Sequence, residues 1–269
     1  MAQALLHHKT YQHADPRDWV VLVHGAGGSA NIWFKQLRAY REKYNLLLLD
    51  LRGHGNSQTM FEGLMEGRYS FKSVTEDVVH LLDHLQIRRA HFVGISLGTI
   101  IIRTLAQLQP QRVQSMVLGG AVTRMNKLSQ LMIKTGHLLK DILPYMWLYR
   151  LFARIIMPQR AQAPSRNLFI REAKKLCQKE FKRWFRLAGE VNPLMRFYNE
   201  RELPIPTLYI MGENDHMFLK PVKALTQRHR RARLSVIEDC GHVCNVERAE
   251  AFNTLSLDFL RRHSRHRPD

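Results

Sequence analysis

Three observations predict an α/β fold: a mostly parallel central sheet with helices on both faces and an inserted helical cap. Short apolar runs alternate with stretches of helical periodicity along most of the 269 residues, and such alternation buries a parallel sheet between two helical layers. The segment Gly94-Ile95-Ser96-Leu97-Gly98 lies where one apolar run ends and a helical stretch begins. The alternation lapses between residues 122 and 201, which are helix-rich, basic and punctuated by Pro144, Pro158, Pro164 and Pro193.

Taken in order, Trp19–Val23 and Leu46–Asp50 read as buried strands. Phe71–Gln86 carries Val74, Val78, Leu81, Leu82 and Leu85 at helical spacing, with Ser70 or Ser73 available as a cap. Ala90–Val93 is a strand, Thr99–Gln109 a helix stopped by Pro110, and Val113–Leu118 a strand. After the basic region come a strand at Thr207–Met211, a helix at Val222–His229, a strand at Leu234–Ile237 and a helix at Glu247–Arg262. His7, His8 and His13 are expected to face solvent in a first hairpin. The helical region falls between two strands, so it is an insertion. Residues 1–121 and 202–269 are expected to form the catalytic domain, and 122–201 a cap over the strand ends. Chemistry in such sheets sits outside the carboxyl ends of the strands.

The composition excludes several classes. No apolar run is long enough to span a membrane, and the N-terminus lacks the basic start and apolar core of a secretory signal. Cys177, Cys240 and Cys244 are too few for a disulfide framework and suggest a reducing compartment. A cytoplasmic location is expected, with a peripheral position at a membrane as the alternative. The formal charge of +18 is uneven: residues 121–200 hold 16 Lys and Arg against 5 Asp and Glu, and more cations crowd the tail from Arg261 to Arg267. No recognition motif accompanies this charge, so no nucleic-acid partner is expected.

The chemistry centres on Ser96. A serine on a sharp strand-to-helix turn exposes its hydroxyl at the end of a sheet. It needs a base to take its proton and an acid to orient the base, in this kind of sheet in the chain order Ser, Asp or Glu, His. Asp215 follows the Thr207–Met211 strand, and His242, in Cys240-Gly241-His242-Val243, follows the Leu234–Ile237 strand. Both therefore lie at carboxyl ends of strands. Glu213 and Asp239 are local rivals of Asp215. An oxyanion needs two preorganised N–H donors. The amide of Leu97 is one candidate and that of Ala26, in the loop His24-Gly25-Ala26-Gly27-Gly28-Ser29, is the other. That loop lacks the spacing and lysine of a phosphate cradle. The Cys240 and Cys244 pair around His242 lacks the ligand count of a zinc site, so neither metal nor cofactor is expected.

These motifs resemble the α/β-hydrolase fold superfamily, in its capped single-domain, serine esterase- and lipase-like branch. The resemblance rests on His24-Gly25 with its glycine-rich loop, Asp50-Leu51-Arg52-Gly53-His54-Gly55-Asn56-Ser57, the Gly94–Gly98 turn, Gly212 with Asp215, and Gly241-His242 followed by Glu247 and Phe252-Asn253. It implies Ser96 as nucleophile, Asp215 as acid, His242 as base, and Ala26 with Leu97 as oxyanion donors. Epoxide hydrolases and haloalkane dehalogenases of this fold carry Asp at the turn, so Ser96 implies a small-molecule ester, thioester or related acyl substrate. C–C bond hydrolases, perhydrolases and slow or non-catalytic receptors of the same fold are the alternatives. Arg52 and His54 are expected to be structural.

Two cap segments carry further expectations. Leu138–Met157 is strongly apolar with scattered cations, and reads as a pair of lid helices lining an acyl pocket or as a segment resting on anionic lipid. Arg171–Arg186 carries Lys174, Lys175, Lys179, Lys182, Arg183 and Arg186 with Trp184 and Phe185, and reads as a solvated face or an attractor of an anionic substrate.

Overall fold

The computed structural model describes residues 5–58 and 69–265; Met1–Ala4 and the tail residues His266 and Arg267 lie outside that range. The chain lays down β1 (His8–Tyr11), β2 (Trp19–Val23), α1 (Leu37–Arg41), β3 (Asn45–Leu49), α2 (Phe71–His84), β4 (Ala90–Ile95), α3 (Leu97–Leu108) and β5 (Val113–Gly119). Helices α4 (Lys127–Leu139), α5 (Tyr145–Ile156), α6 (Ala163–Ala173), α7 (Gln178–Leu187) and α8 (Val191–Glu200) follow. The chain then completes the sheet with β6 (Thr207–Gly212), α9 (Leu219–Thr226), β7 (Ala232–Ile237), α10 (Cys244–Glu247) and α11 (Ala249–Arg262).

The strands form one sheet in the order β1-β3-β2-β4-β5-β6-β7, parallel except for β1. Side-chain alternation explains why it is covered on both sides. Val21 and Val23 of β2 point into one apolar core with Phe92, Met116, Tyr209 and residues of α2, α3 and α9. Their neighbours Val20 and Leu22 point into a second with Val93, Val117, Ile210 and residues of α1 and α11. A third, smaller cluster lies within the insertion, where Ile133, Leu148, Leu176, Phe181 and Phe185 pack together.

Both candidate caps of α2 are used at once. The Ser70 hydroxyl accepts from the Ser73 amide at 3.0 Å, and Ser73 Oγ accepts from the Ser70 amide at 3.1 Å. Three expectations are corrected. The N-terminal strand makes no hairpin with β2; β1 pairs antiparallel with β3, and His7 Nδ1 lies 3.1 Å from the Asp50 carboxylate rather than in free solvent. The C-terminal helix breaks at Arg248, whose backbone (φ −132°, ψ 61°) is non-helical, leaving the short α10 before α11. Leu138–Met157 is the end of α4, a linker and α5, not a helix pair. Pro144, with no N–H to donate, stands at the N-cap of α5 in an extended conformation.

Candidate active site

Ser96 joins β4 to α3 with φ 52° and ψ −116°, a left-handed conformation that side chains rarely adopt. Neighbouring contacts impose it. The Ser96 amide donates to the Gly119 carbonyl of β5 at 3.0 Å, and the Thr99 amide donates to the Ser96 carbonyl at 2.9 Å. Gly98 makes the turn possible, because a Cβ there would lie 2.3 Å from the Val23 carbonyl oxygen and 2.7 Å from that of His24. The Leu97 amide, in the first turn of α3, has no carbonyl one turn back in its own helix and points out of the helix end.

Asp215 and His242 reach Ser96 from the loops after β6 and β7. The Asp215 amide turns back onto the Gly212 carbonyl at 3.1 Å, and the Asn214 amide donates to the Cys240 carbonyl at 2.8 Å. The two loops thus pack backbone on backbone. Only glycine fits at 212, where a Cβ would lie 2.1 Å from the Gly241 oxygen. The Glu247 carboxylate holds the second loop by accepting from the Gly241 amide at 2.6 Å and the Val243 amide at 3.3 Å. His242 Nδ1 is 2.8 Å from Asp215 Oδ2, and its Nε2 is 3.0 Å from Ser96 Oγ. The other Asp215 oxygen accepts from the Phe218 amide at 3.0 Å, and the Phe218 ring lies 5.1 Å from the imidazole. Asp215 and His242 are buried. The rivals Glu213 and Asp239 are exposed, and the Glu213 carboxylate accepts from the Asp239 amide instead. In this arrangement the imidazole, oriented by the carboxylate, can take the proton of the serine hydroxyl.

The loop beside the serine is fixed by two buried histidines. His24 Nε2 accepts from the Leu51 amide at 2.9 Å, and its Nδ1 donates to the Gly25 carbonyl at 2.8 Å. His54 Nε2 accepts from the Gly27 amide at 3.0 Å, and its Nδ1 donates to the Arg52 carbonyl at 3.2 Å. Burial, reinforced by the nearby His24, drives the His54 pKa down to about 3, and burial lowers that of His24 as well. Both rings are therefore neutral near pH 7, as these acceptor roles require. The Gly28 amide donates to the Gly25 carbonyl at 3.0 Å. With Gly27 and Gly28 so engaged, the Ala26 amide beside Ser96 keeps no acceptor among the described residues.

Above Ser96 opens a cavity of about 230 Å³. Its walls include Met132 and Ile133 of α4, Phe152 and Ile156 of α5, and Phe181 and Phe185 of α7. Among the described residues, Ser96, His242, His54, Ser129, Tyr149 and Trp184 supply its polar side chains, and no Lys, Arg, Asp or Glu lines it. The cations of the Arg171–Arg186 stretch lie elsewhere: Lys175 pairs with Glu172 at 2.8 Å, Lys182 with Asp141 at 2.7 Å, and Arg183 with Glu180 at 2.5 Å.

Two residues at the site escaped the sequence reading. Tyr149 of α5 donates its hydroxyl to the Ala26 carbonyl at 3.0 Å, and burial raises its pKa, so it stays a donor. His54, read as structural, also lines the cavity, with Trp184 edge-on at 5.0 Å. Nothing local in the sequence marks Tyr149, one of 8 tyrosines. His54 stood within a family motif, but its reach to Gly27 depends on the fold. Cys240 and Cys244 are buried packing residues. Burial pushes the Cys240 thiol up to about 12, and the Cys244 thiol donates to the Ile210 carbonyl at 3.5 Å.

Comparison with known proteins agrees with this architecture. Residues 18–147 match the α/β hydrolase fold family. The chain has the α/β-hydrolase fold. A Stutzerimonas stutzeri protein named provisionally as the carbamate hydrolase RutD is 29% identical over 261 residues, covering 95% of this chain and 96% of its own. The crystal structure of an enol-lactonase from Burkholderia xenovorans superposes on this α/β hydrolase with a TM-score of 0.78 at 22% identity, over 95% of this chain and 96% of that one. A thermophilic esterase from Thermogutta terrifontis superposes with a TM-score of 0.79 at 17% identity, over 96% of this chain and 94% of that one. At such identities the structural likeness speaks for the fold alone.

Proposed function

We propose that this α/β hydrolase cleaves a neutral, largely apolar carboxylic ester or thioester through an acyl-enzyme intermediate on Ser96. The observation that carries the proposal is the Asp215–His242–Ser96 relay, with contacts of 2.8 and 3.0 Å, at the floor of an uncharged apolar cavity. His242, held by Asp215 with its proton on Nδ1, accepts the Ser96 proton at Nε2. Ser96 Oγ then attacks the acyl carbonyl carbon. The Ala26 and Leu97 amides hold the oxyanion, where one such donor typically contributes ~10²–10³ in turnover. The leaving alcohol or thiol departs with the proton from His242. Water, deprotonated by the same imidazole, attacks the acyl carbonyl and releases the carboxylic acid, restoring Ser96.

The cavity narrows the substrate. An apolar cavity of about 150 Å³ admits benzene; scaled by volume, 230 Å³ holds roughly nine carbon atoms. An anionic acyl group would enter without a compensating cation among the described residues and lose its hydration. The same argument weighs against a free carbamate anion, the substrate class that the RutD-like relative's name would suggest.

The test is intact mass after incubation with a small fluorophosphonate, followed by turnover of p-nitrophenyl esters of increasing chain length. A single adduct on wild type, absent from Ser96→Ala, with sustained release and a preference for medium-length acyl groups, is expected. An unlabelled, folded wild type, or a single burst without turnover, would replace this reading with that of a non-catalytic receptor.

A further inference from the structure

Two of the helices that wall the cavity, α4 and α5, turn their opposite faces to solvent, and those faces carry exposed apolar side chains. Six of the ten exposed large apolar side chains among the described residues fall between 128 and 151. On α4, Lys127, Leu131, Lys134 and Leu138 follow one another at spacings of four, three and four, which places them in one stripe. Leu131 is 61% and Leu138 76% exposed. On α5, Trp147, Arg150, Leu151 and Arg154 make a second stripe, with Trp147 66% exposed. Ile142, in the linker between the helices, is 75% exposed. Gly136 keeps the helices close, since a Cβ there would lie 2.8 Å from the Phe152 ring.

The charge around these stripes has one sign. Residues 122–157 contain six Lys and Arg and one acid, Asp141. Asp141 pairs with Lys140 and Lys182. Lys127, Lys134, Arg150 and Arg154 have no acidic partner among the described residues. Leucine and tryptophan interleaved with cations suit the boundary between acyl chains and anionic headgroups: the apolar tips enter and the long cationic stems reach back to phosphate.

We propose that the outer face of α4 and α5 docks on an anionic lipid surface. A second copy of the chain fits less well, because a two-fold contact through this face would oppose cations to cations. A nucleic acid would gain nothing from the exposed Leu131, Leu138 and Ile142. The inner faces of the same helices, through Met132, Ile133, Phe152 and Ile156, form the cavity wall. Docking therefore sets the apolar cavity one helix away from the phase in which apolar esters dissolve, a consequence that rests on the hydrolase reading, whereas the docking itself does not.

The test is co-sedimentation with vesicles of phosphatidylcholine alone and of phosphatidylcholine with about one third phosphatidylglycerol, the fraction that sets the surface charge. The protein is expected on the anionic vesicles and not on the neutral ones, and to be released at about 1 M salt, where the Debye length shrinks to about 3 Å. Each of Lys127→Gln, Lys134→Gln, Arg150→Gln and Arg154→Gln should lower the partition about fivefold. Leu138→Ser and Trp147→Ser, both at exposed positions, should lower it about tenfold. Ser96→Ala should bind as wild type does, so that loss of turnover and loss of docking are read separately. Wild-type protein left in the supernatant with anionic vesicles at low salt, or full binding by the cation variants, would overturn the proposal. So would self-association in sedimentation velocity that Leu138→Ser abolishes, without vesicle binding, which would make this face a contact between copies.

Discussion

Asp215→Asn tests the site more sharply than removal of the serine, because the structure dictates which way the new amide must point. Asp215 uses both oxygens, one toward the Phe218 amide at 3.0 Å and one toward His242 Nδ1 at 2.8 Å. A backbone amide can only donate, so the asparagine oxygen must take the Phe218 side. Its NH₂ group then faces His242 and needs an acceptor there. The imidazole answers by moving its proton to Nε2, the nitrogen 3.0 Å from Ser96 Oγ. The base is then blocked although every heavy atom remains in place. A tautomer reversed in this way lowers turnover by about 10⁴ in serine hydrolases of other folds, and the same relay predicts a loss of that order here. The assay is kcat on the best p-nitrophenyl ester, with the fluorophosphonate labelling rate and a thermal melt on the same preparation. Turnover within about tenfold of wild type on a folded variant would refute both the assignment of Asp215 and the tautomer argument.

The strained backbone at Ser96, with φ 52°, predicts that Ser96→Gly melts above Ser96→Ala by about 1 kcal/mol, or roughly 2–4 °C, in scanning calorimetry. Stability should fall with acid through the buried histidines. The folded-state pKa of His54 lies below its unfolded value of 6.5, so the unfolded chain binds the extra proton, and stability is complete above pH 6.5 and lost as pH falls toward about 3. His24 acts in the same direction. Urea unfolding should therefore lose about 1.4 kcal/mol per pH unit through His54 within that window, and His54→Gln should remove that one proton's worth of slope. Phe152→Ala, which deletes a cavity-wall ring stacked on Phe185, should shift the preferred acyl length upward in the ester series. An unchanged length optimum would mean that the acyl chain does not lie against α5.

The sheet was readable because each buried strand is a short apolar run bounded by turn residues, and Leu46–Leu49 or Thr207–Met211 admit few other readings. The site was readable for a related reason. Ser96, Asp215 and His242 each sit at the carboxyl end of such a strand, beside glycines whose missing Cβ lets loops touch backbone to backbone, as Gly212 does against Gly241. What could not be read depends on contacts between distant segments. The pairing of β1 with β3 rather than β2 leaves no trace in the residues of β1. In the insertion, Ile133 and Leu131 are equally apolar letters two positions apart, yet one lines the cavity and the other faces solvent. Only the packing of α4 on α5 and α7 decides which is which.

That packing also ties the insertion to the chemistry. The Ala26 carbonyl accepts from Tyr149 of α5 at 3.0 Å, and the N–H of the same peptide group, on Gly27, donates to His54 at 3.0 Å. The peptide that follows the proposed oxyanion donor, Ala26 N–H, is thus fixed on one side by the sheet domain and on the other by the insertion. Movement of α5 away from the sheet would break the first contact and leave the second, loosening Ala26 while Ser96, His242 and Asp215 stay aligned. A change at α5 should therefore appear in kcat on esters before it appears in the rate at which fluorophosphonate finds the serine, and Tyr149→Phe should do the same, lowering kcat about two- to tenfold, the worth of one neutral hydrogen bond. If Tyr149→Phe alters neither rate, the α5 contact holds the insertion in place without reaching the reacting groups.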